Sequence, residues 1–222
     1  TVHAYGKKVL ADSFGMNGKD KLIAASGNDM SIAQEAMAAG KSLALVQTGH
    51  IAEPGTAVFV ASNESRRNGD DIARQVIGSG AQVIMAGGER FLLPEGTEGR
   101  HGAGERKDDL NLIQEAEASG YQVVYTRDEL MALDLSGVDK LLGVFAHDHT
   151  FNDQSRELNL SEGKPTYLDH APTLAEMTRA ALEIVSRDED GFLAVIEEEG
   201  TDNIANNMNA SGTLEALSRA DA

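Results

Sequence analysis

From about residue 28 onward, short apolar runs alternate with stretches of helical periodicity, and no other feature of the sequence constrains its fold as strongly. Short apolar runs joined through helices argue for a parallel sheet covered on both faces. The spacing predicts strands over 42–47, 81–86, 121–125, 141–145 and 192–196. Helices are predicted over 30–39, 70–78, 108–119, 127–133 and 173–185. The punctuation agrees: Gly40, Gly80 and Gly120 each follow a predicted helix where a left-handed cap is wanted, and Thr173 with Glu176 reads as a capping box. The expected class is α/β, a mostly parallel sheet with helices on both faces, with 1–222 forming part of a single domain. Two stretches break the rhythm: 87–107, rich in glycine and charge, and 147–169, long and polar. Long loops inside a compact α/β protein are often functional.

Charge narrows the partners. With 36 acidic against 19 basic residues the formal net charge is -17, which repels nucleic-acid backbones and anionic membranes and suits cation binding or solubility in salty surroundings. No apolar run approaches the roughly 18 residues of a membrane helix. The sequence has no cysteine, which excludes disulfides, thiolate metal sites and thiol nucleophiles and leaves His, Asp, Glu and hydroxyl groups as metal ligands. It opens at Thr1 without methionine and closes at Ala222 inside a helical pattern, so it reads as a piece of a longer polypeptide.

In a sheet of this kind ligands collect beyond the carboxyl ends of the strands. The run 192–196 leads straight into Glu197, Glu198, Glu199, Gly200, Thr201 and Asp202. Carboxylates leaving a buried strand together repel one another unless a cation sits among them; the bland alternative is a solvated acidic loop. The run 42–47 leads into Thr48, Gly49, His50 and Glu53, then a helix-like apolar run 57–61 and Arg66. Such a carboxylate and arginine suit a metal and a phosphate, because guanidinium grips phosphate oxygens through two parallel bonds. His147, Asp148 and His149 form a further ligand-like cluster, in which two histidines two apart on an extended segment face the same way. A rival reading takes Ser186, Asp188, Asp190, Gly191 and Glu197 as most of a calcium-binding loop, with serine where aspartate is required.

Two segments together carry a resemblance. VQTGHIAEPGTAVFVASNESR resembles the alkaline phosphatase segment in which a strand, a metal ligand, an alanine-rich helix and a phosphate-clamping arginine follow in order. GFLAVIEEEGTDNIANNMNA resembles the later family segment, where an apolar strand ends in a magnesium-site glutamate with a zinc-site aspartate five residues on. Between them GAQVIMAGGERF, DLNLIQEAEASGYQVVYTRDEL, LLGVFAHDH and PTLAEMTRAALEIVS fall in the family's order, so the likeness runs from about Met30 to Arg219. It implies the family's three-layer sandwich, here incomplete, and a phosphomonoesterase that works through a phosphoserine and metal-bound water. By this resemblance Glu53 and Glu197 match the magnesium-like third site, Asp202 a zinc ligand, and Arg66 the catalytic, phosphate-binding arginine. Mg2+ and Zn2+ are the implied cofactors, small phosphate monoesters the implied substrates, and the periplasm or secretion the implied location; a homodimer is compatible with it.

The departures are specific. Asn206 stands where the family places a histidine four residues after the zinc aspartate, and Gly55 where it places a hydroxyl ligand, with Thr56 one position late. These changes point to a differently filled metal site or to an inactive, cation-binding domain. The family's nucleophilic serine opens a helix upstream of the position of Glu53. Asp12-Ser13 is followed by Phe14, Gly15 and Met16 and reads better as a turn or cap. The family's last metal ligands would lie beyond Ala222, so the chain alone is expected to be inactive. The resemblance puts 147–149 near the substrate entrance, and His50, His101 and His170 read as structural or exposed.

Overall fold

The computed structural model describes residues 1–222. Five parallel strands form one sheet, namely β1 (Ser42–His50), β2 (Val83–Gly87), β3 (Gln122–Val124), β4 (Leu141–Val144) and β5 (Phe192–Glu197), in the order β3-β4-β2-β1-β5. Each lies on a predicted run. β1 continues past its predicted end to His50, which pairs with Gly87 across an irregularity in the ladder. The helices are α1 (Ile32–Ala38), α2 (Pro54–Ala57), α3 (Gly69–Ile77), α4 (Leu112–Ala118), α5 (Arg127–Ala132), α6 (Leu174–Val185), α7 (Gly200–Asn206) and α8 (Ala210–Ala220). Short helices at Val2–Tyr5 and Arg156–Ser161, 3-10 turns at Glu89–Phe91 and Leu135–Gly137, and a hairpin of two-residue strands, Met16–Asn17 with Asp20–Lys21, complete the structure.

Two helical expectations shift for local reasons. The predicted helix 108–119 begins only at Leu112, because Asn111 caps it by accepting the Gln114 N–H while Asp108 is held outside by a two-point pair with Arg106. The run 57–61 is not a helix of its own. Pro54 starts α2 early, and Phe59 and Val60 continue as tight turns on the carbonyls of Thr56 and Ala57.

Alternation along β1 sends Leu43 and Leu45 to one face of the sheet and Ala44 and Val46 to the other. The first face packs on Ala33 of α1, Ile72 and Val76 of α3, and Leu112 and Ala116 of α4, in a cluster of 29 buried residues. The second packs chiefly on Met177, Ala181 and Ile184 of α6, in a cluster of 17. Because α6 covers so much of that smaller face, its register matters, and both halves of the Thr173–Glu176 capping box are formed. β5 pairs only with β1 and leaves Phe192 and Ile196 40% and 41% exposed. No helix is long and apolar enough to cross a membrane.

A candidate metal and phosphate site

The chain leaves β1 for β2 on one side, whereas β5 pairs with β1 on the other, so the rim between β1 and β5 is a topological switch point where ligands collect. Glu197 ends β5 opposite Gln47 of β1. Its carboxylate lies on the backbone of α2, where a Cβ at Gly55 would fall 1.7 Å from Oε1. Gly55 therefore makes room for Glu197 and supplies no hydroxyl. Thr56, one place later, is engaged elsewhere: its Oγ1 accepts from Gln47 Nε2 at 2.5 Å.

The three glutamates after β5 separate in role. Glu198 Oε1 accepts from Thr48 Oγ1 at 2.6 Å, from Tyr167 OH at 2.8 Å and from the Gly200 N–H at 3.1 Å, which fixes the entry to α7. Burial lifts its carboxyl above the ordinary range even so. Burial also lifts Glu197, and the charges of Glu53, Asp202 and Glu198 add to the shift although contact with Glu199 opposes it. Glu199 is pushed up to about 9, first by burial and then by the charges of Glu197, Glu53 and Asp202. Glu197 Oε2 is buried without a hydrogen-bond partner. Asp202 Oδ1 accepts from Asn206 Nδ2 at 3.1 Å, so the side chain in the family's histidine position is occupied with the aspartate and offers no imidazole.

Glu53 is the better satisfied acid. Oε1 lies 3.1 Å from His50 Nε2, and Oε2 accepts from Arg66 Nη2 at 3.1 Å. Burial pushes its carboxyl up, but the hydrogen bond and charge of His50, with His149 and Arg66, outweigh that and hold it below the usual range. Two hollows meet here. Glu197, Glu199 and Asp202 line an acidic one of about 260 Å3, beside Thr1. Glu53, His50, Arg67, Arg90 and Phe91 line a neighbouring one of about 500 Å3. Arg66 forms part of both walls.

The structure thus places Glu53, Glu197, Asp202 and Arg66 around the β1–β5 rim, with Glu53 opening on the second hollow. The all-oxygen donor set, the crowded carboxylates and the orphaned Glu197 oxygen fit a hard cation such as Mg2+; zinc is fitted less well without the imidazole. The sequence names Glu199 only as one of the acidic run and assigns it no role, and His50, read there as structural or exposed, faces Glu53.

Other expectations resolve plainly. His147 and His149 do not act together: His147 Nε2 lies 2.9 Å from Ala103 O, while His149 stacks on His50. His101 Nε2 lies 2.9 Å from Val144 O and its ring stacks on His170, so that pair is structural. Ser13 Oγ accepts the Gly18 N–H at 2.8 Å in a turn, and Asp12 O accepts the Arg66 N–H at 2.8 Å. The calcium-loop reading fails, because Asp188 binds Ser42 Oγ at the start of β5 and Glu197 stands at its far end, a strand's length away.

Residues 4–221 match the alkaline phosphatase family. A membrane-bound alkaline phosphatase of Bombyx mori is 32% identical over 193 residues, covering 75% of this chain and 33% of that protein. Alkaline phosphatase 4 of Bacillus subtilis is 25% identical over 220 residues, covering 96% of this chain and 41% of that one. The crystal structure of Thermus thermophilus alkaline phosphatase superposes with a TM-score of 0.79 at 29% identity, over 99% of this chain and 41% of that one. The chain spans about a third to two-fifths of the length of these relatives. By sequence and by fold, this chain belongs to the alkaline phosphatase family.

Proposed function

We propose that, within the intact protein, this chain supplies the phosphate clamp and part of the cation site of a metal-dependent phosphomonoesterase acting on small phosphate monoesters. The observation that carries the reading is the crowding of Glu197, Glu199 and Asp202 in a hollow that Arg66 also lines, since a divalent cation relieves the repulsion among the three acids. Arg66 grips two equatorial phosphate oxygens, and Glu53 holds the guanidinium in place from behind. Glu197 and Asp202 hold the cation, with Glu53 joining that site to the arginine. A bound Mg2+ or Zn2+ supplies charge neutralisation on the entering and leaving oxygens and a lowered pKa for water. The phosphoserine route follows from the family likeness, and no serine of this chain is assigned to it. Secretion or a periplasmic home and a homodimeric state remain part of the same family-based proposal.

Asn206 favours a second reading, a domain that binds cations without turnover. The two separate on the intact protein. Hydrolysis of p-nitrophenyl phosphate in Mg2+ is expected to fall by about 100-fold or more in kcat/KM for Arg66→Ala and for Glu197→Gln. Turnover unchanged in both variants would overturn the site. A Mg2+-dependent rise in Tm with no turnover under either metal would decide for the binding domain.

A further inference from the structure

Beside Glu53, outside the acidic hollow, the end of β1 meets the loop that follows β4. Thr150 donates both its N–H and its hydroxyl to Thr48 O, at 2.9 and 2.8 Å. Gly87 of β2 admits Asp148 O at a point where a Cβ would stand 1.9 Å from it. These contacts bring His50, Asp148 and His149 together, with one ligand atom of each within 4.8 Å of the others. The two rings stack at 5.0 Å with 19° between their planes, and Phe151 covers the other side of His149.

The partners of these groups are unevenly filled. His50 places Nε2 on Glu53 and leaves Nδ1 buried with no partner. His149 has Nε2 3.3 Å from the Asn203 side-chain amide and Nδ1 buried with no partner. Turning that amide over puts Oδ1 against Nε2–H, the tautomer that frees Nδ1 to ligate. A metal-bound histidine commonly gives its second nitrogen to a carboxylate or carbonyl oxygen, which is how His50 sits on Glu53. Asp148 is itself held by Arg90 Nε at 3.1 Å.

We propose that His50, Asp148 and His149 form a second cation site, separate from the oxygen-rich rim and suited to a transition ion such as Zn2+. Two imidazoles and one carboxylate favour a borderline ion over Mg2+ or Ca2+, which prefer oxygen alone. A fourth position opens toward the hollow that His50 and Arg90 line, where water or an anion completes the shell. Bonds of about 2.0–2.2 Å set tetrahedral ligand atoms roughly 3.4 Å apart, so the groups draw in by up to about 1.4 Å on loading. The near-parallel rings must also turn, a motion about the soft χ2 torsion.

The test titrates the purified protein with Co2+ as a spectroscopic probe, in excess Mg2+ to occupy the rim, and follows displacement by Zn2+. One Co2+ with tetrahedral visible bands is expected. His149→Gln and Asp148→Asn should each weaken it by more than about 100-fold, while Glu197→Gln leaves the bands in place. Far-UV circular dichroism checks that the variants fold, and Asp148, whose side chain is 46% exposed, keeps the test open if His149→Gln does not. Bands absent from the folded wild type, unchanged in the folded variants, or lost in Glu197→Gln would overturn the site. Loss in Glu197→Gln would assign the ion to the rim, whereas failure of the phosphatase reading alone leaves these spectra untouched.

Discussion

Glu199 and Gly55 carry the tightest constraints at the rim. In metal-free protein Glu199 keeps its proton up to about pH 9, whereas in the unfolded chain it ionises near 4.5. Between those values the folded state binds more protons, so this contribution to stability is whole below about 4.5, declines as pH rises and is gone above about 9. Glu53 acts in the opposite sense, its depressed pKa adding stability that is lost as pH falls. Comparing Glu199→Gln with wild type isolates the first effect: melts in EDTA across that interval should show a flatter decline in the variant. Gly55→Ala displaces the Glu197 carboxylate, the free end of a flexible side chain, so stability in melts should change by less than about 1 kcal/mol while the rise in Tm on adding Mg2+ shrinks. That Glu53, Glu197, Asp202 and Arg66 gather at one rim is legible in the sequence, because Glu53 and Glu197 stand at or just past strand ends and Arg66 and Asp202 follow them through short helices. The division of labour among Glu197, Glu198 and Glu199 is not, since Thr48 and Tyr167, distant in the chain, decide which carboxylate is satisfied.

Among the elements, α6 bears the greatest single burden, because it covers most of the smaller face of the sheet. Thr173→Ala removes one half of its capping box and should cost about 1 kcal/mol. In thermal melts that corresponds to a fall in Tm of about 2–4 °C. The strands and this helix are readable in the sequence because continuous apolar runs and 3.6-residue periodicity survive without tertiary help. The glycines after helices are equally readable, and Gly40, Gly80 and Gly120 take φ of 83°, 84° and 88°. The start of α4 is not, because Asp108 is as good a cap as Asn111 until Arg106 claims it. The polar stretch 147–169 also conceals the helix Arg156–Ser161, which has no long apolar stripe to announce it.

At the scale of the molecule, β5 is the outermost strand of the sheet within this chain, and Phe192 and Ile196 are 40% and 41% exposed there. The net charge of -17 opposes close approach of copies of the chain at low salt. Arg66, standing in the wall between the two hollows, has a different consequence. In the proposed function, a cation among the acids on one side would lessen the negative charge met by a phosphate that Arg66 holds on the other. If the acids take Mg2+ and Arg66 takes phosphate as proposed, loading and capture are thermodynamically coupled, so whatever factor Mg2+ adds to the grip on inorganic phosphate, phosphate must return to Mg2+.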